Sequence, residues 1–307
     1  MDPHHRIAFV VPTKDRREDL GKLLASFSAS TRRPDLVIVV DGGDDVVKDV
    51  CDAYPDVPID YLRCVPPGFT KQKNAGTRAV PDDVDLVGYL DDDIVLESDA
   101  VERMLAFWES ADERTGGAEF HITNVHFDGA SFSTRLFGTN NGDGGAILPS
   151  GFNVVLDPVV ETTEVDWLSG GATVWRKEVV ADVAHDEWFA GYGHMDDIDY
   201  SVSVAKHGWR MFVVADARLA HYERPIALEK EYPFGVYDTV NRYYLVKKYP
   251  ERFSVARWYW ATFGKLFGRL ASGVRGNAAG RLRAKGYWDG LRQVMRGDLT
   301  LTQTTMK

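Results

Sequence analysis

The sequence predicts an α/β protein, a mainly parallel sheet flanked by helices, followed by a helical C-terminal extension. Three observations predict it. Short apolar runs of strand length recur through the first ninety residues, segments with apolar residues at helical spacing separate them, and the last part of the chain turns basic and aromatic-rich.

RIAFVVP (6 to 12) is a buried strand, and Leu20, Leu23, Leu24 and Phe27 mark a helix beginning at Arg16. LVIVVD (36 to 41) is a second strand, a helix is expected over 44 to 53, and IDYLRCV (59 to 65) is a third strand. Thr70 caps a helix running to Arg78, and DLVGYLDDD (85 to 93) is a fourth strand that runs into three aspartates. Ser98 reads as the N-cap of a helix carrying Val101, Met104, Leu105 and Trp108. Residues 115 to 152, rich in Gly and Asn and without clear period, read as a long loop or irregular hairpin. A strand interrupted by Gly170-Gly171 is expected over 165 to 180, then a helix over 197 to 207 stopped by Gly208, then the strand WRMFVVA (209 to 215). Alternating strands and helices of this kind bind ligands at the carboxyl ends of their parallel strands.

Composition narrows the function. With 307 residues, 44% hydrophobic and 27% charged, the chain suffices for one large domain or a domain with appendages. Two cysteines, Cys51 and Cys64, exclude a disulfide scaffold and a Cys/His structural zinc site. A net charge of −10 argues against nucleic acid as a general partner, but it is unevenly spread: thirteen Lys/Arg against two acids between Arg242 and Arg296 give that segment +11. Without a signal-peptide pattern or an apolar run of spanning length, the expected location is cytoplasmic, soluble or peripheral on the inner face of the plasma membrane.

Two acidic clusters could carry chemistry. If the fourth strand stays extended through Asp91-Asp92-Asp93, residues 91 and 93 project to one side and offer hard oxygen donors to a divalent cation such as Mg²⁺ or Mn²⁺, together with the phosphates of a nucleotide diphosphate. The alternative is an acidic turn capping the next helix. Asp196, Asp197 and Asp199 open a helix, where one or two carboxylates are stabilised by the macrodipole. A carboxylate fixed there could equally act as a general base. His221 is either a packed histidine or a third metal ligand.

Taken together and in order, VVPTKDR (10 to 16), VVDGGDD (39 to 45), KQKNAGTR (71 to 78), YLDDDI (89 to 94), WLSGGATVWRKEV (167 to 179), GHMDDIDYSVSVAKHG (193 to 208) and LAHYERP (219 to 225) resemble glycosyltransferase family 2. The resemblance implies a GT-A-type, Rossmann-like fold, with a catalytic domain over 1–240 (nucleotide-binding half 1–115, acceptor-binding half 116–240) and a basic, aromatic-rich helical region over 241–307. It implies that Pro12, Thr13 and Arg16 line the nucleotide pocket, that Asp41 accepts from a uracil or thymine edge, and that Lys73 lies near the base or phosphates. Asp91 and Asp92 would approach the ribose; Asp91, Asp93 and His221 would hold Mn²⁺ or Mg²⁺; Trp167, Gly170, Gly171, His194 and Asp196 would shape the acceptor site. Asp197 would be the catalytic base. The pairing of Asp196-Asp197-Ile198-Asp199 with a later histidine looks most like the bacterial galactofuranosyltransferases.

The implied function is an inverting, metal-dependent transfer of galactofuranose or rhamnose from a UDP- or dTDP-sugar to a glycan or lipid-linked glycan, as in bacterial surface polysaccharide synthesis. Competing classes are a sugar-nucleotide nucleotidyltransferase, disfavoured by the lack of a Gly-rich basic triphosphate loop after the first strand, and a non-catalytic carbohydrate-binding module. In the basic tail, Val255, Tyr259, Phe263, Leu266 and Leu270 form a helical stripe that either lies in a membrane interface or packs on the catalytic domain.

Overall fold

In the computed structural model, which describes residues 5–189 and 193–299, the apolar runs become strands β1 (Ile7–Thr13), β2 (Leu36–Asp41), β3 (Ile59–Arg63) and β4 (Leu86–Leu90). Pairing of β1 with β2 and β4, and of β2 with β3, is parallel. Helices α1 (Arg17–Ser28), α2 (Lys48–Asp52) and α3 (Phe69–Arg78) make the crossovers. α1 buries Leu20, Leu23, Leu24 and Phe27, the four residues whose spacing marked it, into a core with Ile7, Phe9, Val37 and Val39. α3 comes close enough to the sheet that a Cβ on Gly76 would overlap Val10. This approach buries Gln72, whose amide donates to Thr13 O (2.9 Å) and Val40 O (2.7 Å), tying the carboxyl ends of β1 and β2 together.

The sheet continues in the order β3-β2-β1-β4-β8-β6-β9-β5, with β7 also paired to β9. Here β5 is Ile94–Leu96, β6 Thr115–Ile122, β7 Thr163–Val165, β8 Ala172–Arg176 and β9 Arg210–His221. β8 runs antiparallel to β4 and β6, and β9 parallel to β6. The carboxyl ends of β1, β2, β4 and β9 therefore share one edge with the start of β8.

Several sequence expectations are corrected. The fourth strand stops at Leu90, and the aspartates occupy a turn before β5. Residues 115 to 122 are a strand inside the sheet and not loop: a Cβ on Gly117 would overlap the ring of its cross-strand partner Trp175, and Gly116 is covered by Trp209. The glycines that read as loop are thus demanded by tryptophans packed on the strand. Residues 163 to 182 divide into β7, β8 and α6 (Lys177–Asp182). The N-cap of α4 (Ala100–Ser110) is Asp99 and not Ser98, that of α3 is Gly68 and not Thr70, α2 starts at Lys48 and not 44, and β9 continues to His221.

The chain divides into two compact units, one comprising residues 1–126 and 157–223, the other residues 127–156 and 224–307. The second unit holds α5 (Phe132–Phe137), α8 (Glu231–Lys248), α9 (Val255–Val274) and α10 (Ala278–Met295); α7 (Asp196–Lys206) belongs to the first. Residues 300–307 of the expected C-terminal region lie outside the described residues. Within the second unit Asp238 joins α8 to α10, accepting from Arg242 (2.7 Å) and from the Tyr287 hydroxyl (2.5 Å).

Candidate active site

The turn after β4 places its three carboxylates differently. Asp92 is buried and accepts from the Thr13 hydroxyl (2.7 Å) and Arg16 Nη1 (3.1 Å), and burial pushes it up to about 7. Asp93 accepts from Arg16 (2.5 Å) and faces His221 Nε2 across 2.9 Å. Burial opposes its ionisation, yet His221 and Arg16 hold it below the usual carboxylate range. Asp91 lies 3.7 Å from His221 Nε2. His221 ends β9, where it pairs with Ile94 of β5, so the two strands bring it to the aspartates across 128 residues of sequence.

Asp91, Asp93 and His221 each offer a ligand atom, and these atoms lie within 4.8 Å of one another. Asp91 Oδ1 is buried and has no hydrogen-bond partner among the described residues. Two hard carboxylates, one of them with an orphaned oxygen, and one imidazole form a donor set that suits Mn²⁺ or Mg²⁺. At His221 burial works against the proton, but Asp93 and Asp91 raise its pKa to about 9. The extended-strand geometry expected for residues 91 and 93 is replaced by a turn that achieves the same convergence.

Gly171 carries the geometry further. Its carbonyl accepts from Asp91 N (2.9 Å), and a Cβ here would overlap the Asp91 carboxylate. At Gly170 a Cβ would lie 3.0 Å from Asp197 Cβ and 3.0 Å from Lys73 Nζ. The glycine pair therefore separates Asp91 on one side from Asp197 and Lys73 on the other. Asp197 is the partly exposed member of the acidic helix start, while Asp196 and Asp199 are buried. Burial and then the Asp196 charge push Asp197 up to about 6. Asp196 resists the effect of burial and stays low because Lys73 (3.2 Å) and His185 (3.3 Å) converge on its Oδ2. Met195, at the N-cap of this helix, adopts φ 79°, a left-handed conformation costly for a side-chain-bearing residue.

Some expected residues stand elsewhere. Lys73 has no exposed surface; its ammonium pairs with Asp196 and lies 4.2 Å from the centre of the Phe69 ring, on the Asp197 side of the glycine pair. Asp41 is also wholly buried, taking hydrogen bonds from Gly43 N (2.8 Å), Val47 N (3.3 Å), the Tyr61 hydroxyl (2.6 Å) and Arg63 Nη1 (2.7 Å). Both oxygens are thus engaged within the protein, and the carboxylate has no exposed surface. Its partner Arg63, which sequence reasoning missed, is exposed. Pro12 lies within β1 and Thr13 at its end, while Trp167 is buried and His194 partly exposed. Glu119 was missed as well. It lies on β6 and accepts from Ser169 N (2.8 Å), in the segment leading into the glycine pair. Burial pushes it up to about 8, and Asp197 adds to the rise. A carboxyl among glycines had read as loop.

A parallel-stranded half joined to an antiparallel half, with an Asp-Asp-His cluster at the shared edge, is an arrangement of the GT-A-type class of folds. Residues 8–130 match the family model of glycosyl transferase family 2. Among solved structures, the mannosyltransferase PcManGT from Pyrobaculum calidifontis, in complex with GDP-Man and Mn²⁺, is similar with TM-score 0.55 and 14% identity, over 97% of this chain and 86% of that one. S. aureus TarS 1-349 in complex with UDP-GlcNAc is similar with TM-score 0.52 and 14% identity, over 95% and 92%. A longer S. aureus TarS structure gives TM-score 0.52 and 14% identity over 96% of this chain, which spans 54% of that one. No curated protein matches the sequence. At this identity the likeness establishes the fold.

Proposed function

We propose that the protein is an inverting glycosyltransferase that moves a sugar from a nucleotide diphosphate to an acceptor hydroxyl. One observation carries the reading: an Asp-Asp-His donor set and a partly exposed, elevated carboxyl, Asp197, flank the same glycine pair. Asp91, Asp93 and His221 would hold Mn²⁺ or Mg²⁺, which when bound supplies positive charge for the departing diphosphate. Asp197 accepts the proton of the attacking hydroxyl, and its raised pKa suits a base working near neutrality. Attack from the face opposite the leaving group inverts the anomeric centre without a covalent intermediate. Arg16 fixes Asp92 and Asp93, and the Lys73–Asp196–His185 group steadies the turn from which Asp197 projects.

The motif pairing of residues 196 to 199 with His221 favours UDP- or dTDP-linked galactofuranose or rhamnose as donor, and a glycan or lipid-linked glycan as acceptor, in surface polysaccharide synthesis. A donor panel with Mn²⁺ tests this. Release of UDP or dTDP in proportion to transferred sugar is expected. Pyrophosphate-dependent consumption of the donor, or binding without turnover across the panel, would refute it.

A further inference from the structure

Helix α9 has two apolar faces. Trp258, Ala261, Thr262, Leu266 and Gly273 are buried, whereas Ala256, Trp260, Phe263, Phe267, Leu270 and Val274 are exposed. The exposed set advances by four and three residues alternately, so it forms one stripe along the helix, about 27 Å long at 1.5 Å per residue. The stripe expected from the sequence divides: Leu266 is buried, whereas Phe263 and Leu270 are exposed. The exposure is large: Phe267 is 58% and Val274 89% accessible. α5 extends the patch with Phe132 (84%) and Leu136 (52%). Trp260 packs 5.1 Å from Phe137 and donates its indole N–H to Leu136 O (2.9 Å), so its one polar atom is satisfied and the ring is free to enter an apolar phase.

Positive charge frames this stripe. Arg257 and Arg275 follow Ala256 and Val274 by one residue, about 100° around the helix, and both are exposed. α10 exposes Arg281, Lys285, Trp288, Arg292 and Met295, again at helical spacing. A second copy seated symmetrically on the stripe would bring Arg257 and Arg275 of one helix toward the arginines of the other, a like-charge arrangement that opposes association. Among the described residues, no helix is long and apolar enough to cross a membrane.

We infer that the α5–α9 face docks on the surface of an anionic lipid bilayer, with the Trp260–Val274 stripe inserted among the acyl chains and the flanking cations on the headgroups. This goes beyond the proposed transfer reaction and does not depend on it. The test is flotation of the full chain with phosphatidylcholine vesicles made with and without phosphatidylglycerol. Wild-type protein floats with the anionic vesicles, and salt weakens the binding. The double variant Phe267→Ser, Leu270→Ser lowers the partition coefficient at least about tenfold. Charge reversal in Arg257→Glu, Arg275→Glu removes the preference for anionic lipid. All these side chains are exposed, so the variants should unfold at wild-type temperature. Equal flotation of wild type and the serine variant overturns the proposal, as does indifference to lipid charge. A dimer in sedimentation that the serine variant splits also overturns it, assigning the stripe to a second copy.

Discussion

Replacing Asp197 with Asn separates proton acceptance from the packing of the α7 start. Asn keeps the shape and the oxygen that accepts from Ile198 N (2.8 Å), but it does not ionise. Burial and the Asp196 charge lift the Asp197 carboxyl to about 6. Its ionised fraction then falls from about nine tenths at pH 7 to about one tenth at pH 5, so wild-type kcat/KM should fall roughly tenfold along an acid limb centred near pH 6. The Asn variant should lose ~10²–10⁴-fold in kcat and show no such limb, while donor binding persists. Stability moves the other way. A carboxyl whose folded pKa lies above its unfolded value of 3.8 costs stability once ionised. The cost is absent below about pH 4, grows up to about pH 6 and is complete above, with a ceiling of about 3 kcal/mol before solvent screening. The variant should therefore be more heat-stable than wild type at pH 7 and equal to it at pH 4. Sugar transfer followed across pH, alongside thermal unfolding, reads both effects. Near-wild-type kcat with the acid limb intact would remove Asp197 from the reaction, and a destabilised variant would trace the loss to packing.

Exhaustive EDTA treatment should stop transfer, and Mn²⁺ or Mg²⁺ should restore it; Asp93→Ala should bind no Mn²⁺ by paramagnetic resonance, and wild-type binding there would exclude the donor set. Because the pKa of His221 is raised to about 9, it carries a proton at neutral pH that must leave when the ring ligates, so Mn²⁺ binding should release about one proton. Calorimetry in buffers of different ionisation heat measures this, and no release would contradict the His221 assignment. Gly171→Ala should displace the Asp91 carboxylate and weaken Mn²⁺ binding ~10–100-fold with little change in melting temperature. Glu119→Gln, neutral like the carboxyl it replaces at pH 7, should keep both activity and stability; Glu119→Ala leaves Ser169 N without its acceptor and should cost about 1–3 kcal/mol in denaturant unfolding.

The legible parts of the sequence are those where a residue's neighbours in the chain decide its fate. β1, β2 and β4 are buried on both faces, so their apolar residues follow one another with no alternating polar face. α1 shows its four core residues at helical spacing. The turn aspartates and His221 announce chemistry by type, and the fold brings Asp91, Asp93 and His221 together. What escaped notice depends on partners far away in sequence. Gly116 and Gly117 make sense only against Trp209 and Trp175. Lys73 looks like a phosphate ligand until Asp196, 123 residues on, claims its ammonium. Asp41 likewise looks available until Tyr61 and Arg63 fill its oxygens.

The late arrival of β9 bears on what part of the chain can stand alone. Residues 8–130, the stretch matched by the family model, contain β5 and β6, but β5 pairs with β9, and β6 pairs with β8 and β9. A protein cut at residue 130 would keep β1 to β4 and leave the other two strands without hydrogen-bonding neighbours. During synthesis the same order holds: the aspartates emerge early, with Arg16 as their partner, and the imidazole joins them only when the last strand threads between β6 and β5. Recognition by family and autonomy of folding thus fall on different lengths of this polypeptide, and expression trials should retain at least residue 223.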